Sequence, residues 1–249
     1  MSRSLLGIFC NKKVWRRRKL QSVIFRDRVD AANQLVEKLI WLLKKEQIAS
    51  SSIVVLSIPR GGVVIGDIIA DKLNTKLDVV VSRKIGAPID PEVAIGAVLP
   101  DGSYFLNDDI MQTLNVPQNY IDAQVNVQLR EIERRLMSFR GDKEYDNELK
   151  GKTVVLVDDG IATGATMLSA AQWLKTKQNC EELIIAVPVA PHDTVDRLKQ
   201  VVGNNDKLIV LYTPEPFIAV GQFYEDFGQV SDDEVKKTMK RHGYKINRV

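Results

Sequence analysis

The chain has 249 residues, of which 45% are hydrophobic and 27% charged, with a net charge of +3. That is enough for one sizeable α/β domain or a core domain plus a small subdomain. Its two cysteines, Cys10 and Cys180, lack CxxC spacing, which excludes a disulfide framework and a zinc site and fits a reducing, cytoplasmic setting. The longest apolar stretches are strand-sized, far short of the roughly 20 residues a membrane helix needs, so no integral membrane association is expected.

Charge is concentrated at the start. Residues 1–28 carry nine Lys or Arg against Asp27, a balance of +8 that leaves −5 for the remainder. Such an arm suits RNA, an acidic surface or an anionic membrane, and its Arg-rich, acid-poor composition also suits a transit peptide. It has no good secretory core, and the plain reading is a solvated, mobile extension over residues 1–24.

Apolar residues at helical spacing (Val29, Leu35, Val36, Leu39, Leu43) predict one amphipathic helix over 25–47. "IVVLSI" then reads as a buried strand because it does not alternate. "PRGG" at 59–62 is a turn, "VVIGDIIADKL" a helix and "LDVVVSRK" a second strand, which together make a right-handed parallel βαβ unit. Residues 85–102, rich in Pro and Gly, read as an excursion or lid.

A long helix is expected over 117–139 with Pro117 in its first turn. Strand "TVVLVD" and a helix from about Thr166 to Lys177 follow it. "ELIIAVPVA" and "DKLIVLY" supply two more buried strands, separated by a helix opening at Pro191. Ser231 and Glu234 form a capping box for a terminal helix closing on Lys240, Arg241 and His242. The alternation predicts a parallel, doubly wound α/β sheet with helices on both faces.

In such a sheet ligands bind beyond the carboxyl ends of the strands. That rule gathers "PRGG", "SRK", "DDGIATGAT" and "TPEPFIAVGQFY" on one edge. Asp158 and Asp159 end a buried strand, where carboxylates are costly unless they meet water, a cation or hydroxyls. The turn Thr163-Gly164-Ala165-Thr166 opens a helix whose free N–H groups favour a phosphate. Carboxylates for sugar hydroxyls beside amides for a phosphate describe a ribose 5-phosphate site. The lysine and spacing of a P-loop are missing.

The stretch "VVLVDDGIATGAT" resembles, along its whole length, the phosphoribosyl pyrophosphate (PRPP) motif of type I phosphoribosyltransferases. "FRDR", "RKIGAPIDPEVAIGAV" and "FYEDFGQVSDDEV" are similar to a poorly characterised bacterial and archaeal subgroup, so the resemblance covers roughly residues 25–235. It implies that fold, with a phosphoribosyltransferase domain over 25–249 and a small hood from its N- and C-terminal segments. It implies Mg²⁺-dependent attack of a nitrogen nucleophile on C1 of PRPP, with release of pyrophosphate.

The roles this resemblance implies are specific. Arg60, Arg83 and Lys84 are the catalytic cations on the leaving group, with Gly61 and Gly62 in the pyrophosphate loop. Asp158 and Asp159 hold the ribose, and Gly160, Ala162, Thr163, Gly164, Ala165 and Thr166 complete the PRPP cradle. Mg²⁺ arrives with PRPP, near Asp158 and Asp159, because no cluster of protein ligands suffices for a permanent cage.

Where 6-oxopurine enzymes of the family carry an aspartate, this sequence has Ala162, and Phe217 is the candidate stacking face for the acceptor. Glu92 is a lesser candidate for a lid acid or base. Tyr224 and Phe227 read as packing residues and His192 as a helix-start residue. The expected partners are PRPP and a small-molecule acceptor, with a homodimer admitted and RNA as a lesser partner of the arm. The alternative of another class is a PRPP-binding regulator on the same fold, using its basic arm on RNA.

Overall fold

The computed structural model describes residues 23–91, 93–145 and 148–246. The basic arm, apart from its last two residues, and Glu92 lie outside that set. Five strands form a parallel sheet in the order β2 (Lys76–Val79), β1 (Ile53–Ser57), β6 (Thr153–Val157), β7 (Glu182–Val189) and β8 (Lys207–Tyr212). All four neighbouring pairs are parallel, with Val55 opposite both Leu77 and Val155. Every residue of β1 and β6 is buried, as expected of central strands covered on both faces.

Helix α1 (Arg28–Lys45) is capped by Asp27, whose side chain accepts from the Asp30 N–H. It buries Ala31, Ala32, Leu35, Val36, Leu39, Leu42 and Leu43, one stripe at three- and four-residue spacing. That stripe lies on α2 (Gly61–Leu73) and on β7 and β8. Helices α5 (Ala165–Thr176) and α6 (His192–Val201) connect β6, β7 and β8. The chain leaves β1 toward β2 but leaves β6 toward β8. Right-handed crossovers in opposite directions therefore place α2 and α5 on opposite faces of the sheet.

The sequence reading needs correction between residues 76 and 106. The second strand does not run through Arg83 and Lys84, because β2 ends at Val79 and the chain turns out of the sheet after Val80, whose N–H donates to the Ser57 carbonyl. Arg83 and Lys84 instead begin β3 (Arg83–Gly86), which pairs antiparallel with β4 (Ala94–Val98). This in turn pairs with β5 (Tyr104–Leu106). The apparent lid thus contributes most of a second sheet, packed on α5 and on α4 (Gln118–Arg140). The helix α3 (Asp108–Leu114), capped by the Asn107 side chain, carried no strong periodic signal.

The remaining boundaries agree within a residue or three. Pro117 caps α4 from outside, and Gly141 ends it in the left-handed conformation (φ 76°). Helix α7 (Asp232–Arg241) opens with the expected box, the Ser231 hydroxyl and the Glu234 backbone and carboxylate satisfying one another. Among the described residues no helix is long and apolar enough to cross a membrane. Cys180 is buried and free, and burial pushes its thiol up to about 11.

Candidate active site

The reversal of crossover direction between β1 and β6 leaves a crevice at their carboxyl ends. A cleft of about 510 Å³ occupies it. One side is built by the β1–α2 turn (Ile58, Pro59, Arg60, Gly61) and the other by Asp158, Asp159 and Thr166 at the β6–α5 turn. Val80 to Lys84 and Arg135 of α4 supply the remaining wall. Of the residues singled out in the sequence, the cleft therefore brings together Arg60, Gly61, Arg83, Lys84, Asp158, Asp159 and Thr166.

The carboxylates are close to the backbone of the facing turn. A Cβ added to Gly61 would lie 1.8 Å from Asp159 Oδ2, and one on Gly62 would lie 3.0 Å from the Asp158 Cα and the Val157 carbonyl oxygen. Any side chain at 61 must displace Asp159, which is fixed from behind: Arg28 Nε donates to its Oδ2 at 2.7 Å. Gly61→Ala is therefore expected to weaken binding of an anionic ligand at least tenfold, about 1.4 kcal/mol, with only modest change in melting temperature. Ligand affinity equal to wild type in calorimetry would show that the close approach is dispensable.

Burial raises the pKa of both acids. At Asp158 the neighbouring Asp159 charge adds to the rise, whereas at Asp159 the Arg28 guanidinium opposes it. The Asp159 N–H donates to Asp158 Oδ1 at 2.8 Å, and Tyr224 Oη donates to the Asp159 carbonyl at 2.5 Å. Four cations share the same cleft: Arg60, Arg83, Lys84 and Arg135. Arg83 Nε donates to Gln128 at 3.1 Å, Arg60 pairs with Asp232 at 3.4 Å and Arg135 with Glu131 at 2.9 Å.

Gly164 sits before α5 with φ 78°, a conformation that side chains other than glycine rarely adopt. The carbonyls of Ala162 and Thr163 accept from Thr194 Oγ1 (2.8 Å) and Arg197 Nη2 (2.7 Å) of α6. Because N–H and C=O point oppositely across a trans peptide, the amides of Thr163 and Gly164 face away from α6. With the first-turn N–H groups of α5 they line one corner with backbone donors.

Other expected residues do not line this cleft. Gly160 is buried against Val189 and Val220. Ala162, Thr163, Gly164 and Ala165 form the turn and first helical residue rather than the cleft wall. Phe217 is not on the wall either; its ring centroid lies 4.8 Å from that of Phe223, the planes tilted by 53°. Arg28, Arg135, Thr194, Arg197 and the polar end of Tyr224 had no individual signal in the sequence. Only "FRDR" and "FYEDFGQVSDDEV", as motifs without an assigned role, pointed toward two of them.

Among the described residues, Asp67, Asp71 and His242 also lie close enough together to share an ion. They already clasp α2 to α7, with Arg241 bonded to both carboxylates and His242 Nε2 2.7 Å from Asp67.

An open parallel sheet places an acidic pair, a basic wall and two helix N-termini at its switch point. Residues 27–213 match the family model described as "Phosphoribosyl transferase domain", and the chain belongs to that family. It is 40% identical over 218 residues to proteins from two strains of Mycobacterium tuberculosis that are provisionally named as phosphoribosyl transferases. That match takes in 88% of this chain and 47% of theirs, so the chain spans about half the length of these curated relatives. It is also similar to the crystal structure of TT1426 from Thermus thermophilus, with 36% identity and a TM-score of 0.72 over 88% of this chain and 99% of that one.

Proposed function

We propose that the protein transfers the 5-phosphoribosyl group of PRPP to a nitrogen of a nucleobase or related small molecule, releasing pyrophosphate, in the cytoplasm. The observation that carries this reading is the cleft itself, where an acidic pair faces a basic wall beside the N-terminus of α5. A sugar with a phosphate at one end and a pyrophosphate at the other has that polarity.

In this reading the turn 163–166 and the N-terminus of α5 anchor the 5-phosphate. Asp158 and Asp159 accept hydrogen bonds from the ribose hydroxyls. Arg60, Arg83, Lys84 and Arg135 stabilise charge that grows on the departing pyrophosphate, and the N-terminus of α2 at Gly61 and Gly62 adds its amides. The acceptor nitrogen forms its bond to C1 as the C1–O bond breaks. The bonding pair leaves with pyrophosphate, and the proton of the nitrogen passes to solvent water. Holding both reactants in one cleft supplies proximity.

Mg²⁺ fits the donors present, since two hard carboxylate oxygens at the cleft suit it and phosphate oxygens and water would complete its shell. When bound it supplies further neutralisation of pyrophosphate. The segments 24–28 and 213–231, joined beside the cleft, are our candidate for the hood.

Ala162 offers no carboxylate to take a proton from a 6-oxopurine. Guanine and hypoxanthine are therefore expected to turn over about 10²–10⁴-fold more slowly than the preferred acceptor, the range of general-base help. Incubation with PRPP, Mg²⁺ and a panel of bases and amines, followed by assay of pyrophosphate and new nucleotide, tests both statements. PRPP binding without pyrophosphate release for any acceptor would favour the regulator, which the basic arm also favours. Efficient use of guanine would overturn the acceptor reading.

A further inference from the structure

The "FRDR" and "FYEDFG" stretches share no sequence neighbourhood, yet they are joined in space. The N–H groups of Ile24 and Phe25 donate to the Phe223 carbonyl at 2.8 and 2.9 Å. Those of Glu225 and Asp226 return to the carbonyls of Phe25 and Arg26 at 2.9 and 2.8 Å. Phe25 is fully buried, 5.6 Å from Tyr212 and 5.2 Å from Tyr224, and Tyr224 stacks 4.9 Å from Phe227.

This strip fixes one guanidinium. Arg28, the first residue of α1, lies 3.8 Å over the Phe227 ring and donates from Nη1 to the Gly228 carbonyl at 2.8 Å. Its Nε donates to Asp159 Oδ2 at 2.7 Å, and only 11% and 14% of the two side chains remain exposed. Arg28 is not part of the cleft wall, whereas Asp159 is. Two distant segments thus converge to hold a cation behind an acid that faces the ligand.

Resting on the PRPP reading above, we propose that Arg28 is a positioning residue that holds the carboxylate of Asp159 in place for the ribose hydroxyls, acting through Asp159 and not on the ligand. An acid this enclosed, with Asp158 adjacent, is driven to swing toward water unless a fixed cation opposes it. Oδ2, the atom Arg28 binds, is also the one that approaches the bare backbone of Gly61. The planar fork and stacking of arginine are matched to this position in a way lysine is not.

The test is calorimetric titration of PRPP with Mg²⁺ into the full chain and its R28Q, R28K, D159N and R28Q/D159N variants, with melting temperatures checked in parallel. R28Q is expected to weaken binding by about tenfold, as loss of a charge-assisted hydrogen bond implies. R28K should recover part of that loss, because it keeps the charge without the fork. In the D159N background R28Q should add less than about twofold, since residues acting through one contact are not additive.

Wild-type affinity in R28Q beside a weakened D159N would overturn the positioning role while leaving the PRPP reading intact. So would an R28Q loss as large in D159N as in the wild type. Undiminished PRPP binding by D159N would remove the ribose assignment, and the role of Arg28 with it.

Discussion

Replacing Asp158 and Asp159 together by asparagine is expected to weaken PRPP binding about 100-fold or more while the protein stays folded. Each carboxylate contributes charge-assisted hydrogen bonds worth roughly 1.5–3 kcal/mol, and about 2.7 kcal/mol is a hundredfold. Stability should respond in the opposite sense. Burial raises both pKa values, so folding favours the neutral acids. That favourable contribution is full below the ordinary carboxylate range and is lost as pH rises through the raised values. Asparagine stays neutral at every pH. The melting temperature of the double variant relative to wild type should therefore improve from acid to neutral pH, less whatever Arg28 loses with its partner. Calorimetry that shows unchanged PRPP affinity would refute the ribose-site assignment, and a variant that unfolds would show the acids to be structural.

Arg140→Met should destabilise the fold by about 3–5 kcal/mol, the cost of stranding a buried charge. Asp78, on β2, is fully buried and receives Arg140 Nε at 2.7 Å and Nη2 at 3.0 Å. Arg140 also donates to the carbonyls of Asp142 and Glu144 and lies 4.2 Å over the Tyr145 ring. Burial drives Asp78 upward while Arg140 holds it down, and burial ranks as the larger effect.

The pair ties the end of α4 to the strand that feeds Val80 to Lys84 into the cleft. Its loss should therefore also blunt ligand binding. Asp78→Leu with Arg140→Met should be less destabilised than Arg140→Met alone, because no unpaired charge remains. Denaturant unfolding measures both, and a cost below about 1 kcal/mol for the single variant would show that water reaches Asp78.

The acidic pair was legible because a non-alternating apolar run that ends in Asp-Asp leaves charge where a buried strand stops. The following Gly-Ala-Thr turn announced a helix start by local chemistry. Arg83 and Lys84 are legible as a basic pair beyond the second strand, but not as the start of a strand in another sheet. A run of "LDVVVSRK" has strand propensity throughout, and nothing local marks Val80 as the point where one sheet is exchanged for another. Residues 85–102 looked like a lid because their Pro and Gly break periodicity, yet β3, β4 and β5 pair across those breaks. Phe217 reads as a stacking face, and its half-buried ring lies 4.8 Å from that of Phe223, outside the cleft wall.

Local signals in the sequence specify the parallel α/β architecture, the strand ends where the cleft forms and the Asp-Asp and Thr-Gly-Ala-Thr segments beside it. Each of these rests on periodicity, capping or turn chemistry within about a dozen residues. Only the tertiary structure decided the second sheet, the basic wall completed by Arg135 from α4 and the Asp78–Arg140 clamp. It also decided the placement of Arg28 behind Asp159, 131 residues away along the chain. Those contacts depend on which faces meet once the hydrophobic surfaces are buried. A single sequence records that meeting in neither periodicity nor propensity, because each partner is locally an ordinary surface arginine or aspartate until the fold closes around it.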